Sequence, residues 1–313
     1  MKMKWKKMLV LLTVAALSGL QIKAMADETS AESRKLSVLS VSGDEAYVIK
    51  GSARELPAAG GMPLGQGSKV RTGYKTSLYL MADEDKTIKM DSGSQVEITK
   101  ASSKKLKVTL KSGAIFFNVE NPLEEGQEME FEAAQTSMSI RGTSGVIWTD
   151  GENVTLSLIS GHVTLEGQGA GNQGQTQSSY DLNAGERTVI NGTSASGQVN
   201  NFTWENLDAF GLEAALEQSA RMDGSAIGLE TQDQLNAAAQ ALPGLQEEKD
   251  RKEEADQDAR RQQIYRDQAE AGDASSRIEG TEPADVDDDS DSGYTAPTEG
   301  TTEETSGGGI SGF

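Results

Sequence analysis

The sequence predicts a mainly β protein: one many-stranded roll, sandwich or β-helix-like domain, then an α-helical segment and a disordered acidic tail. Between about Lys35 and Ile190 apolar residues recur at every second position in short runs, the spacing of strands with one buried and one wet face. Glycine-bearing turn signals such as Gly60-Gly61, Asp91-Ser92-Gly93, Ser112-Gly113, Asp150-Gly151 and Asn191-Gly192 separate those runs. Beyond residue 202 the apolar spacing becomes helical, and beyond residue 271 large apolar residues almost vanish.

Residues 1–26 read as a targeting segment. Lys2, Lys4, Lys6 and Lys7 precede thirteen uncharged residues, Met8 to Leu20, and Ala24 and Ala26 supply the small residues a signal peptidase reads. Thirteen residues rise only about 20 Å as a helix, short of the roughly 30 Å hydrocarbon core. Export is therefore expected, to the cell envelope or beyond it, with an uncleaved N-terminal anchor as the alternative to a cleaved signal.

The β domain is placed at 35–192. Its period-two runs include Tyr47/Ile49, Leu78/Leu80, Ile88/Met90, Leu106/Val108/Leu110, Ile115/Phe117/Val119, Val146/Trp148 and Val163/Leu165. Residues 108–117 and 156–165 share the pattern apolar-x-apolar-x-Ser-Gly-x-apolar-x-apolar. That similarity reads either as stacked β coils or as common corner chemistry.

The helical segment is placed at 202–270. Trp204, Leu207, Phe210 and Ala214 form one apolar stripe with Thr203 as its N-cap. Thr231 and Gln234 fit a capping box ahead of a second helix, which Pro243-Gly244 is expected to stop. From Leu245 to Glu270 the chain is nearly all polar, with acid-first pairs Glu247/Arg251, Glu248/Lys252 and Asp256/Arg260. Such a stretch reads as a solvated helix or spacer. Residues 271–313 form the acidic Gly/Ser/Thr tail.

Charge and composition narrow the function. Removing the five lysines of the first 26 residues from 29 basic residues leaves 24 against 49 acidic ones, a net charge of −25 from Asp27 onward. Such a surface repels phosphate backbones and anionic lipid, so no nucleic-acid partner is expected. The expected partner is an envelope or extracellular protein or glycan, with a membrane only if the N-terminal segment stays uncleaved. The chain has no cysteine and one histidine, which removes disulfides, thiol chemistry, His-based triads and multi-histidine metal sites.

Five pieces of the β region, in order, resemble the FecR family over roughly residues 38–192. They are Gly67-Ser68-Lys69-Val70-Arg71-Thr72-Gly73, Leu110 to Phe117, Met138-Ser139-Ile140-Arg141-Gly142-Thr143, Leu158 to Leu165, and Ala184-Gly185-Glu186. The family's best-known members are inner-membrane regulators that pass a signal from an outer-membrane iron-siderophore receptor to a sigma factor. In those members a cytoplasmic anti-sigma region and a transmembrane helix precede the domain. Here the basic stretch begins at residue 2, so the resemblance implies the exported binding part and not the sigma-factor role.

Arg141-Gly142-Thr143 is the candidate site motif. In regulators of the resembled family a Gly-Thr bond can break by itself, the threonine hydroxyl attacking the preceding carbonyl. That chemistry needs a downstream hydroxyl, a glycine that tolerates a distorted backbone, and local strain. The plainer reading makes Gly142 a tight turn, pairs Arg141 with a carboxylate and lets Thr143 open the next strand. His162, after the Ser160-Gly161 turn, is expected to face solvent. Asp85, Asp91, Glu97 and Glu120 raise a paired-carboxylate reading, and acids at turns are common. The run Asp285 to Asp291 fails both EF-hand registers, which put Ser292 and Thr298, or Ala296, where a glycine and a glutamate belong. The glycine-rich stretch 167–174 lacks the Lys-Ser/Thr of a phosphate loop. The expectation is a non-enzymatic protein with no cofactor and no metal.

Overall fold

The computed structural model describes residues 34–51, 55–167, 178–191 and 197–279. The signal-segment alanines Ala24 and Ala26, most of the glycine-rich stretch and residues 280–313 of the acidic tail lie outside them, while 271–279 are helical. The chain divides into two compact units, Met1–Gln257 and Asp258–Phe313.

Seventeen strands are described in the first unit. They are β1 (Leu36–Ser42), β2 (Ala46–Lys50), β3 (Leu56–Pro57), β4 (Pro63–Leu64), β5 (Ser68–Thr72) and β6 (Ser77–Ala82). Next come β7 (Lys86–Met90), β8 (Gln95–Ala101), β9 (Lys105–Val119), β10 (Glu128–Ala133), β11 (Thr136–Ile140) and β12 (Ser144–Thr149). The last are β13 (Val154–Ser160), β14 (His162–Gly167), β15 (Ser178–Asn183), β16 (Glu186–Ile190) and β17 (Gln198–Asn201).

They form two layers joined through β9. One layer runs β4–β1–β6–β7–β9–β12–β13–β16–β17. The other runs β3–β2–β5–β8–β9–β10–β11–β14–β15. The N-terminal half of β9 pairs with β8 and β10, and the half after Gly113 pairs with β7 and β12. Every ladder is antiparallel except β9–β10. That decides against a β-helix, whose coils stack in parallel, and in favour of the sandwich or roll. The two similar segments both cross between layers at their Ser-Gly pair, in opposite directions, so they share corner chemistry.

The main core lies between the layers. Leu80, Ile88, Phe117, Ile147 and Leu156 from one sheet meet Val48, Val96, Val108, Phe131 and Leu165 from the other. Each such side chain, fully buried, contributes roughly 1.5–3 kcal/mol. Two runs sit on the opposite face from the one their alternation suggested. Ala46 and Val48 point inward while Tyr47 and Ile49 are half-buried, and Ile147 points inward between Val146 and Trp148. Apolar residues at both parities leave the register unreadable from sequence.

The outer faces differ. On one layer Lys105, Lys107, Glu130 and Glu132 form a cross-strand charge ladder, with Lys105–Glu130 at 2.7 Å and Lys107–Glu130 at 2.8 Å. The other layer is covered by helices. After a 3₁₀ turn at Trp204–Asn206, boxed by Thr203 and Asn206, α1 (Ala209–Glu217) begins with Asp208 Oδ1 accepting from Gly211 N at 2.7 Å. Thr203 thus caps the short turn, and Asp208 caps the helix. Phe210, Leu212 and Ala215 form a second core with Ala114, Phe116 and Val146 on the sheet.

The helix α2 (Gln232–Glu279) starts at the expected capping box, with Thr231 N donating to Gln234 Oε1 at 2.9 Å and Gln234 N to Thr231 Oγ1 at 3.3 Å. It does not stop at Pro243-Gly244, because contacts hold both sides of the proline. Ala238 is buried and Leu235, Leu242 and Leu245 pack on the second core. Beyond the proline the pairs Glu248–Lys252 (2.7 Å) and Lys249–Glu253 (3.7 Å) support the helix. In the second compact unit the same helix carries an Asp258–Arg261 pair at 3.8 Å and exposes Ile264 and Tyr265. No helix among the described residues is long and apolar enough to cross a membrane.

Lys89 on β7 is 2 % exposed beneath α1, its Nζ 2.7 Å from Glu217 and 3.3 Å from Glu213. The two glutamates keep substantial solvent access, so the cost of losing one side of the pair is asymmetric. Converting both Glu213 and Glu217 to Gln strands a buried ammonium and should cost about 3 kcal/mol or more in urea unfolding. Lys89→Met strands nothing and should cost less than about 1.5 kcal/mol.

Candidate functional site

The Arg141-Gly142-Thr143 motif is one of three corners of the same construction. At each, a residue with positive φ is followed by a buried hydroxyl residue. These are Lys75-Thr76 (φ 47°), Gly93-Ser94 (φ 64°) and Gly142-Thr143 (φ 78°). A glycine from another corner abuts each hydroxyl residue. A Cβ on Gly43 would lie 2.5 Å from Thr76 Oγ1, on Gly113 2.4 Å from Ser94 Oγ, and on Gly161 2.5 Å from Thr143 Cγ2. Any side chain at those glycines would clash.

The third corner differs in one respect. Thr76 Oγ1 donates to Tyr74 O at 3.1 Å and accepts from Glu45 N at 3.2 Å. Ser94 Oγ donates to Ala114 O at 3.0 Å and accepts from Ala114 N at 2.9 Å. Thr143, 1 % exposed, turns its methyl to Gly161, and its hydroxyl has no hydrogen-bond partner among the described residues. A buried hydroxyl without a partner costs about 1–3 kcal/mol. The Thr143 carbonyl accepts from Val119 N at 3.0 Å, and the next residue, Ser144, donates to Asn118 Oδ1 at 2.6 Å. The backbone around the hydroxyl is therefore fixed while the hydroxyl itself is idle.

The other sequence candidates disperse. Arg141 is exposed and makes no ion pair among the described residues, so the carboxylate expected for it is absent. His162 is exposed, 3.5 Å from Asp181. Asp85 faces Lys86 at 2.5 Å, Glu97 faces Lys111 at 3.6 Å, Asp91 faces Lys249, and Glu120 is exposed. Asp85 and Glu120 do meet across the end of the β7–β9 ladder, Glu120 N donating to Asp85 O at 3.2 Å, but the Asp85 carboxylate is taken by Lys86 and by Asn121 Nδ2 at 3.1 Å. Among the described residues no three His, Cys, Asp or Glu side chains are grouped as a metal would need.

A second site, not read from the sequence, lies on the helix-covered face. The pairings align Ala114, Trp148, Thr155, Val189 and Gln198 in one row across β9, β12, β13, β16 and β17. Helix α2 reaches the Ala114 end, but Trp148 and Val189 remain 42 % and 40 % exposed. Trp148 separates two cavities of about 360 and 290 Å³, one walled by α2 and the other by the N-terminus of α1. Neither Trp148 nor Lys249 could have been singled out from local sequence, because their positions depend on which helix lies over which strand.

The wall of the larger cavity is held by charge. Lys249 Nζ contacts Asp91, Glu253 contacts Ser92 Oγ, and Lys75 Nζ lies 3.0 Å from Glu254. Burial pushes the Asp91 carboxyl up more than the Lys249 charge pulls it down. Burial pulls Lys249 down, and the carboxylates around it, Asp91 first, more than offset that and raise it. Residues 232–245 of α2, by contrast, dock through apolar side chains.

Thr143→Val keeps the shape and deletes the idle hydroxyl, so it should raise stability by about 1 kcal/mol. Ser94→Ala breaks two hydrogen bonds and should lower it by about 1–2 kcal/mol, both read from chemical denaturation. Asp91→Ala should speed amide exchange in residues 246–257 about ten-fold, the equivalent of ~1.4 kcal/mol, and leave 232–242 unchanged. Equal protection of residues 246–257 in Asp91→Ala and wild type would mean that packing alone seats the helix.

Comparison with known proteins bears on the same region. The family model described as "FecR protein" matches residues 68–164, from β5 into β14. The flanking strands of both sheets, and the Ala184-Gly185-Glu186 piece, fall outside that match. Two crystal structures of a candidate anti-sigma factor from Parabacteroides distasonis, at 1.65 and 2.50 Å resolution, align at 18 % identity and TM-score 0.35. The alignment covers 42 % of this chain and 59 % of theirs, so this chain spans little more than half their length. No curated protein matches the sequence.

Proposed function

We propose that this chain, which carries a FecR domain, is an exported, non-catalytic binding and scaffolding protein of the bacterial cell envelope or extracellular space. The observation that carries this reading is the half-covered sheet. A sandwich whose second core already seals Phe116 and Val146 leaves Trp148 and Val189 on the same face in the open. Exposed apolar residues aligned beside two cavities mark an interaction site rather than an unfinished core. The N-terminal lysines and the uncharged stretch after them support export, and the acidic tail supplies reach or a second contact. Capture with the mature chain, residues 27–313, as bait should recover an envelope or extracellular partner. Recovery of the native protein from the cytosol with Met1 intact would contradict the proposal.

A second reading, an N-terminally anchored regulator that cleaves itself at Gly142-Thr143, is favoured by one observation: the partnerless Thr143 hydroxyl. In that reaction the hydroxyl oxygen bonds to the Gly142 carbonyl carbon and the amide C–N bond breaks. The hydroxyl proton passes to the freed Thr143 amine, and water then hydrolyses the ester to a Gly142 carboxylate. The positive φ of Gly142 belongs to a backbone that only glycine adopts at low cost. Intact-mass measurement after denaturation should then show pieces 27–142 and 143–313, or 1–142 for the anchored form, and Thr143→Val should abolish them. Intact mass alone, with no hydroxylamine-sensitive ester, rejects this reading and leaves the binding proposal untouched.

A further inference from the structure

Resting on the binding reading above and narrowing it, we infer that the open face at Trp148 docks an extended, basic segment of a partner protein. The row from Trp148 through Thr155 and Val189 to Gln198 crosses four adjacent strands. Three strand spacings make it about 14 Å long. An extended peptide of four or five residues covers that length at about 3.4 Å per residue. Its floor is apolar at Trp148 and Val189 and polar at Thr155 and Gln198, so it suits a segment whose contacts alternate.

Charge selects the sign of the occupant. Five carboxylates line the two cavities beside Trp148, Asp208 and Asp256 among them, against the three cations Arg187, Lys249 and Lys252. Two of those cations are already engaged, Lys249 by Asp91 and Lys252 by Glu248. The third, Arg187, donates to Ser157 Oγ at 2.6 Å and to Asn206 O at 2.8 Å. An incoming Lys or Arg can lie over the exposed indole, a contact worth roughly 0.5–2 kcal/mol, beside Asp208, which lines both cavities, and Asp256 and Glu253 on the α2 side. Whole-molecule charge acts in the same direction, since the mature chain's excess of acid steers cations toward it. The acidic tail of this chain and a second copy of it both carry the wrong sign.

The test uses the mature chain and a ten-residue synthetic peptide repeating Lys-Lys-Val-Val, which in extended form alternates Lys and Val along each face, with a Glu-Glu-Val-Val repeat as control. Calorimetry and tryptophan emission should report saturable binding of the basic peptide, weakened by salt, and none of the acidic one. Trp148→Ala should weaken the affinity at least ten-fold, as should Thr155→Lys, which places a positive charge on the same row. Both positions are at the surface, and unchanged melting temperatures would confirm intact folding. Absence of saturable binding, equal binding of the acidic peptide, or indifference to both substitutions overturns the inference. A partner captured equally by wild type and Trp148→Ala overturns it while sustaining the broader binding reading. A dimer that Trp148→Ala dissolves assigns the face to a second copy and also overturns it.

Discussion

Each described passage of this chain from one sheet to the other must change direction sharply within a residue or two while both flanking strands keep their ladders. That constraint falls on a few residues. β9 shows it most plainly, since its two halves belong to different layers and only Gly113, at φ 85°, lies between them. The strand before Gly113 supplies Val108 and Leu110 to the shared core, and the strand after it supplies Ile115 and Phe117. If the corner opened, both sheets would lose their central member. The neighbouring corners at Thr76, Ser94 and Thr143 solve the same problem with a left-handed residue and a buried hydroxyl. Two of the three then tie the hydroxyl into the backbone, and the third leaves it idle.

The corners also account for what could be read from sequence. Ser-Gly and Asp-Ser-Gly signals are local, because a positive φ and a side-chain hydrogen bond are decided within a few residues. Strand existence was legible for the same reason, and so was the capping box at Thr231 and Gln234. Register was not. Ala46 and Val48 compete with Tyr47 and Ile49 for the inward face, and Val146 and Trp148 compete with Ile147. Which parity wins depends on distant partners, such as Phe210 and Leu212, which share a core with Val146. The helix running on through Pro243 failed for a related reason: a local breaker was outweighed by docking on both sides of it. Of the candidate site, the Gly142-Thr143 corner was legible as a motif, and the idle hydroxyl was not, because it depends on how Gly161 turns the threonine side chain.

Covering one sheet and leaving the other wet gives the two outer faces different work. The charge ladder of Lys105, Lys107, Glu130 and Glu132 needs no cover and keeps that side in solvent. The opposite face carries Phe116, Val146 and the buried Lys89, which only make sense beneath α1. Trp148 and Val189 continue the same surface past the edge of the helices. A binding role therefore rests on where the helical cover ends, and the charge around that boundary decides what kind of partner fits.

Hydroxyl-radical footprinting of the native mature chain tests this picture most directly, because it reports side-chain access on one face at residue resolution. Rapid oxidation is expected at Trp148 and Val189, with Phe116, Val146 and Phe210 protected to the level of the inner core. Protection of Trp148 equal to that of Phe116, or labelling of Phe116 and Phe210 at the rate of Trp148, would contradict it.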